Sequence, residues 1–164
     1  MKKYELTDEK KQIAGRTLFR IRALKDFLDV KAGDLGGWIE SENNLSHSSY
    51  SWVYNNAMVY GNAMVSDNAR VFGNARVFGN ARVSDNAQVS GNARVSGGAC
   101  VFDNARVSGD ARVSGNAWIY GRGESVDEFA EAVRNRHGGN KFAKQYELAI
   151  ELAKASIETR KEGE

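Results

Sequence analysis

The chain contains no proline, one cysteine and two histidines among its 164 residues. A lone Cys100 excludes an intramolecular disulfide and fits a reducing, cytoplasmic setting. No apolar run approaches eighteen residues, which argues against a membrane-spanning helix. The N-terminal MKKYELTDEKK is charged and lacks an apolar core segment, so it does not read as a signal peptide. A net charge of +2 is too small to imply polyanion binding by itself. No cluster of metal-ligating residues and no phosphate-binding glycine loop stands out, so neither a metal nor a cofactor is expected. The missing proline has a structural reading as well. It suits a fold in which every backbone N–H must pair with a neighbour.

What is present in abundance is a period. From residue 51 to 122 the chain is twelve hexapeptides in register, such as ARVFGN, ARVSDN and AQVSGN. Alanine recurs every sixth position from Ala57 to Ala117, and valine two places after it from Val53 to Val113, with Ile119 last. Alanine and valine at i and i+2 point one way on a short strand, and the residue between them points the other. Gly-Asn, Asp-Asn or Gly-Asp then turns a corner, because these residues tolerate positive φ at little cost. A period this short marks a solenoid, whose units bury their apolar face only by stacking. With three units per coil, the twelve form four coils, roughly 19 Å of stack at a ~4.8 Å rise.

Coils of eighteen sort the outward residues into columns. The first face carries Trp52, Arg70, Gln88 and Arg106, and the third carries Met64, Arg82, Cys100 and Trp118. The second carries Met58, Arg76, Arg94 and Arg112. Like charges opposed on neighbouring strands repel, so Arg76, Arg94 and Arg112 should find anions: a neighbouring subunit's carboxylates, the chain's own acidic helix with Glu124, Asp127, Glu128 and Glu131, a phosphate-bearing ligand or an acidic partner protein. Asp67, Asp85 and Asp103 form an acidic ladder three residues before Arg70, Gln88 and Arg106, where local compensation is expected. One position further along each strand, Tyr54 and Phe72 top the first face and Tyr60 and Phe78 the second. Contiguous exposed aromatics mark interfaces. Tyr60 and Phe78 therefore join the arginines as a candidate binding surface, and Tyr54 and Phe72 join a candidate subunit interface. The repeat holds no threonine, which excludes the hydroxyl-and-methyl array of an ice-binding surface.

Both flanks read as caps, giving a capping segment at 1–50, the solenoid at 51–122 and a helical hairpin at 123–164. Residues 3–6 and 17–24 form a predicted β-hairpin, with Phe19, Ile21 and Ala23 on one face. Residues 26–46 are expected to be loop and irregular coil, with Ile39 and Leu45 as early rungs. Ser125 and Glu128 suit a capping box that opens the first C-terminal helix. The second, about 141–160, carries two apolar stripes. One includes Tyr146 and Ile150 and the other Leu148 and Leu152; one should pack on the first helix or the last coil, and the other on another copy of the chain.

The stretch DFLDVKAGDLGGWIES, followed by ENNLS and SWVYNNAMVYGNA, resembles a bacterial and prophage hexapeptide-repeat family over about residues 17–122. That resemblance implies a left-handed parallel β-helix. The family is often labelled an acyltransferase on fold grounds, and enzymes of this fold use a histidine base near a subunit boundary. His47 is the candidate on that reading; neither histidine lies within the repeats, and His137 sits in the Gly-Gly turn between the C-terminal helices. Cys100 has no His or Lys beside it to activate a thiolate. The expectation is therefore a cytoplasmic, non-catalytic binding protein that self-associates as a dimer or trimer. An acidic protein target or a small anionic ligand would meet the arginine column, and nucleic acid is disfavoured for want of a broad basic patch. Prophage members of the family suggest, as one specific form, an inhibitor of a host defence protein.

Overall fold

A computed structural model describes residues 2–121. Residues 1–121 form one compact unit. The expected C-terminal hairpin, with Tyr146, Leu148, Ile150, Leu152 and His137, lies outside the described residues.

The described unit is an all-β parallel solenoid with an antiparallel cap. Two long strands, β1 (Tyr4–Ile13) and β2 (Arg16–Ala23), are followed by β3 (Leu35–Ile39) and then by twelve short strands, from β4 (Trp52–Val53) to β15 (Trp118–Tyr120). The short strands stack as three sheets, one per side of the coil. The first side pairs Trp52, Arg70, Gln88 and Arg106 in register, and the third Met64, Arg82, Cys100 and Trp118. On the second, Met58, Arg76, Arg94 and Arg112 are successive partners. Every alanine and valine from Val65 to Val101 is fully buried, so the outward columns follow from the period.

The corners explain the spacing residues. Glycines at 61, 73, 79, 91, 97, 109 and 115 adopt φ between 64° and 73°. At Gly91 an added Cβ would lie 2.9 Å from the nitrogen of Gly109, so the stacked corner has no room for a side chain. The asparagines form ladders: Asn68 donates to Asn86 at 3.2 Å and Asn86 to Asn104 at 3.3 Å. Asn62 does the same to Asn80 at 3.1 Å.

The cap is longer and more regular than its sequence suggests. Strand β1 runs on to Ile13, with a register shift between Leu6 and Lys10. A two-residue turn follows, with Ala14 and Gly15 at φ 49° and 75°. Residues 35–39, expected to be irregular, form β3, which pairs antiparallel with β2 and parallel with the strand at Met58. The seven-stranded sheet thus continues the second side of the solenoid into the hairpin. Ile39 aligns with Val59 and Leu45 with Val65, so both are rungs as expected. Their offset is twenty residues instead of eighteen, because eight residues separate Leu45 from Val53. Ile21 and Ala23 face the main core, whereas Leu18, not Phe19, is the fully buried residue of the other face.

Candidate functional site

The second side has an apolar end and a basic end. Under the hairpin, Leu18, Met58 and Tyr60 form a buried cluster against Ile13, Trp38 and Phe78. Lys11 and Arg20 each place a cation 5.3 Å from the Trp38 ring centre. Tyr60 and Phe78 stack at 5.1 Å with rings 4° apart. Tyr60 is only 8% exposed. The sequence placed it on an open binding surface; the hairpin, by extending the same sheet, covers it. Phe78 is half-buried and borders a recess of about 220 Å³ with Arg16, Asn62 and Asn80. Burial raises the pKa of the Tyr60 hydroxyl, against the opposing pull of Arg76, Arg94 and Arg16.

Beyond that cluster the column becomes basic. Arg76 is half-buried, and Arg94 and Arg112 are exposed. Backbone bonds hold the three in register, Arg76 N–H to Ala93 O and Arg94 N–H to Ala111 O, both 2.9 Å. Among the described residues none of the three has a carboxylate within ion-pair distance. Arginines elsewhere do: Arg16 meets Glu40 at 2.9 Å, Arg20 meets Glu9 at 3.8 Å, and Arg70 meets Asp29 at 3.9 Å.

The first side is organised by a loop. The Tyr54 hydroxyl donates to Asp29 at 3.0 Å, and this bond adds to burial in pushing the phenol up to about 12. Tyr54 and Phe72, candidates for a subunit interface, are half-buried and line a recess of about 260 Å³ with Asp29, Asn55, Arg70 and Gln88. A larger trough of about 480 Å³ lies alongside, between Leu28 and Tyr50 over Asn68, Arg70, Asn86 and Gln88. Leu28 holds φ 47° while 54% exposed, an uncommon conformation for a bulky residue. Nothing in the sequence pattern pointed to this trough, because it depends on how the 24–34 loop closes.

The acidic ladder behaves differently from expectation. Asp67, Asp85 and Asp103 occupy the corner after the third side with φ 56–57°. Asp67 and Asp85 accept the hydroxyls of Ser66 and Ser84 at 2.8 and 3.1 Å. Arg70, the expected compensating charge, turns instead to Asp29. Among the described residues the ladder has no ion pair.

His47 sits in the cap, in the eight-residue step. Its Nδ1 accepts the Lys3 backbone N–H at 3.2 Å, and its ring stacks on Tyr4 at 4.2 Å. Nε2 is buried, 3.6 Å from a Glu42 oxygen. A base must reach the proton it removes, and this nitrogen is shielded from solvent beside Glu42. Cys100 is half-buried, its Sγ 3.7 Å from the Gly98 carbonyl. Among the described residues no group of three or more His, Cys, Asp or Glu could hold a metal ion. No described helix is long and apolar enough to cross a membrane.

The regular 18-residue coil, with its alanine–valine interior, now has a counterpart. Five overlapping or adjacent segments between residues 59 and 121 match the YdcK beta solenoid repeat. This chain's solenoid is similar to that family's. The match covers most of the hexapeptides and leaves residues 1–58 and 122–164 outside it. No curated protein matches the chain.

Proposed function

We propose that the protein is a non-catalytic binding scaffold, and that Arg76, Arg94 and Arg112 receive an acidic protein surface. The observation that supports this reading is that, among the described residues, no carboxylate lies at ion-pair distance from three in-register guanidiniums. Like charges stacked at a ~4.8 Å rise repel, and guanidinium is the group best shaped to take carboxylates two oxygens at a time. The buried Nε2 of His47 lends no support to acyl transfer. The prophage resemblance suggests a host protein as one such partner.

The test uses a fluorescent oligoglutamate peptide and the full chain. Replacing Arg76, Arg94 and Arg112 together by Gln should weaken binding at least tenfold, given that a charge-assisted contact contributes ~1.5–3 kcal/mol. Arg70→Gln, on the side where Asp29 already supplies a carboxylate, should change it little. Equal binding by the triple variant and the wild type would sink the proposal.

A further inference from the structure

We infer that the acidic surface taken by the arginine column is the aspartate ladder of a second copy of this chain. The inference rests on the reading of the column as a receiver of acidic protein surface. Arg76, Arg94 and Arg112 recur every eighteen residues, as do Asp67, Asp85 and Asp103. Both columns therefore share one pitch and one number of rungs, with opposite sign. Among the described residues neither has an ion pair.

Conformation alone does not account for the aspartates. The corresponding corner positions of the other two sides are glycine from residue 61 onward, at φ 64–73°. Glycine would adopt φ 56–57° at this corner with no steric cost, and aspartate adopts it with a small one. Three aspartates there also repel one another along the stack. The serine hydroxyls engage Oδ2 of Asp67 and Asp85, which leaves Oδ1 of each without a partner among the described residues.

The heights match when two solenoids lie side by side with parallel axes. Arg76 is nine residues after Asp67 and nine before Asp85, half a coil from each; Arg94 stands likewise between Asp85 and Asp103. Arg76 and Arg94 then each sit about 2.4 Å in height from two carboxylates, half of a ~4.8 Å rise, and Arg112 from Asp103 alone. A forked donor can bridge that pair. The corner between the third and first sides lies opposite the second side of a three-sided coil. Copies joined this way keep the same orientation, so the contact is head-to-tail and does not close. The assembly is an open side-by-side array instead of a fixed dimer or trimer.

Sedimentation velocity on the full chain tests this. The weight-average mass should rise with protein concentration and fall as salt is raised from about 0.05 to 0.5 M, as screening predicts. Asp85→Asn keeps a residue that tolerates positive φ and should weaken association at least tenfold. Arg94→Glu should do the same, and Arg94→Glu combined with Asp85→Lys should recover association. A monomer at every concentration would overturn the inference, as would association indifferent to Asp85→Asn or a double variant no better than Arg94→Glu alone. If Arg94→Glu loses the oligoglutamate peptide while Asp85→Asn leaves the mass unmoved, this inference fails and the reading of the column stands. If oligoglutamate binding is also unchanged, both fall.

Discussion

The N-terminal cap and the repeats satisfy their buried polar groups in two different ways. In the cap, each solution is made by one particular side chain. The Lys3 ammonium donates to Ser49 O at 2.9 Å and Ser51 O at 2.7 Å. The Asn44 amide donates to the carbonyls of Gly61 and Ala63 and accepts the N–H groups of Glu40 and Ser41. The Tyr4 hydroxyl donates to Leu45 O at 2.8 Å. In the repeats the backbone alone does the work, each coil donating to the next at about the same distance. The outward residue of a repeat strand is therefore under little structural demand. That freedom lets one side become a column of arginines, whereas the cap residues are held to their identities by the fold.

Substitutions that attack the cap should hurt most. A Cβ at Gly37 would lie 2.6 Å from both the Ala57 carbonyl and a Val53 methyl, where β3 closes the end of the core. Gly37→Ala should cost at least about 3 kcal/mol, the upper range for overpacking, because the colliding atoms include backbone. Denaturant unfolding would show it as a lower midpoint; an unchanged midpoint would mean that β3 does not seal the core.

A second break in the comparison uses pH. Burial, and then Lys25, lower the pKa of Lys3 from 10.5 to about 8. Below pH 8 both states carry the proton, and the fold bears the cost of desolvating the cation. Between about pH 8 and 10 the unfolded chain retains a proton that the folded chain has shed, so stability should climb with pH. Above pH 10 the raised pKa values of Tyr4 and Tyr54 act in the opposite direction. Thermal melts of wild type and Lys3→Met across pH 8–10 should show the rise in wild type alone. Parallel profiles would remove Lys3 from the account.

The smallest effect is expected at the loop tip. Leu28→Gly relieves a positive φ at an exposed side chain and should stabilise the fold by about 1 kcal/mol. A rise of a few degrees in melting temperature would show it. A fall would mean that the Leu28 side chain packs more than its exposure indicates.

The same contrast explains what could be read from the residues alone. Period two within a unit and six between units determined which side chains face inward, and all three outward columns appear as expected. Ile39 and Leu45 were legible because they keep the valine spacing approximately. The bulge in β1, the eight-residue step that carries His47, and the covering of Tyr60 were not legible. Each depends on a contact between segments far apart in sequence, such as Lys3 with Ser51. Leu18 was passed over for Phe19 because β2 buries residues of both faces, which defeats simple alternation. The arginine column was visible; the pairing of Arg70 with Asp29 was not, since the 24–34 loop supplies that carboxylate.

The most direct test of the central claim takes melting temperature and oligoglutamate affinity from one preparation of Arg94→Glu. The side chain points outward, the Ala93 and Val95 pair beneath it is fully buried, and the new carboxylate lies between Arg76 and Arg112. The fold should hold to within ~0.5 kcal/mol, as for a surface substitution. Binding should fall at least tenfold. A variant that melts like wild type and binds like wild type would contradict the account.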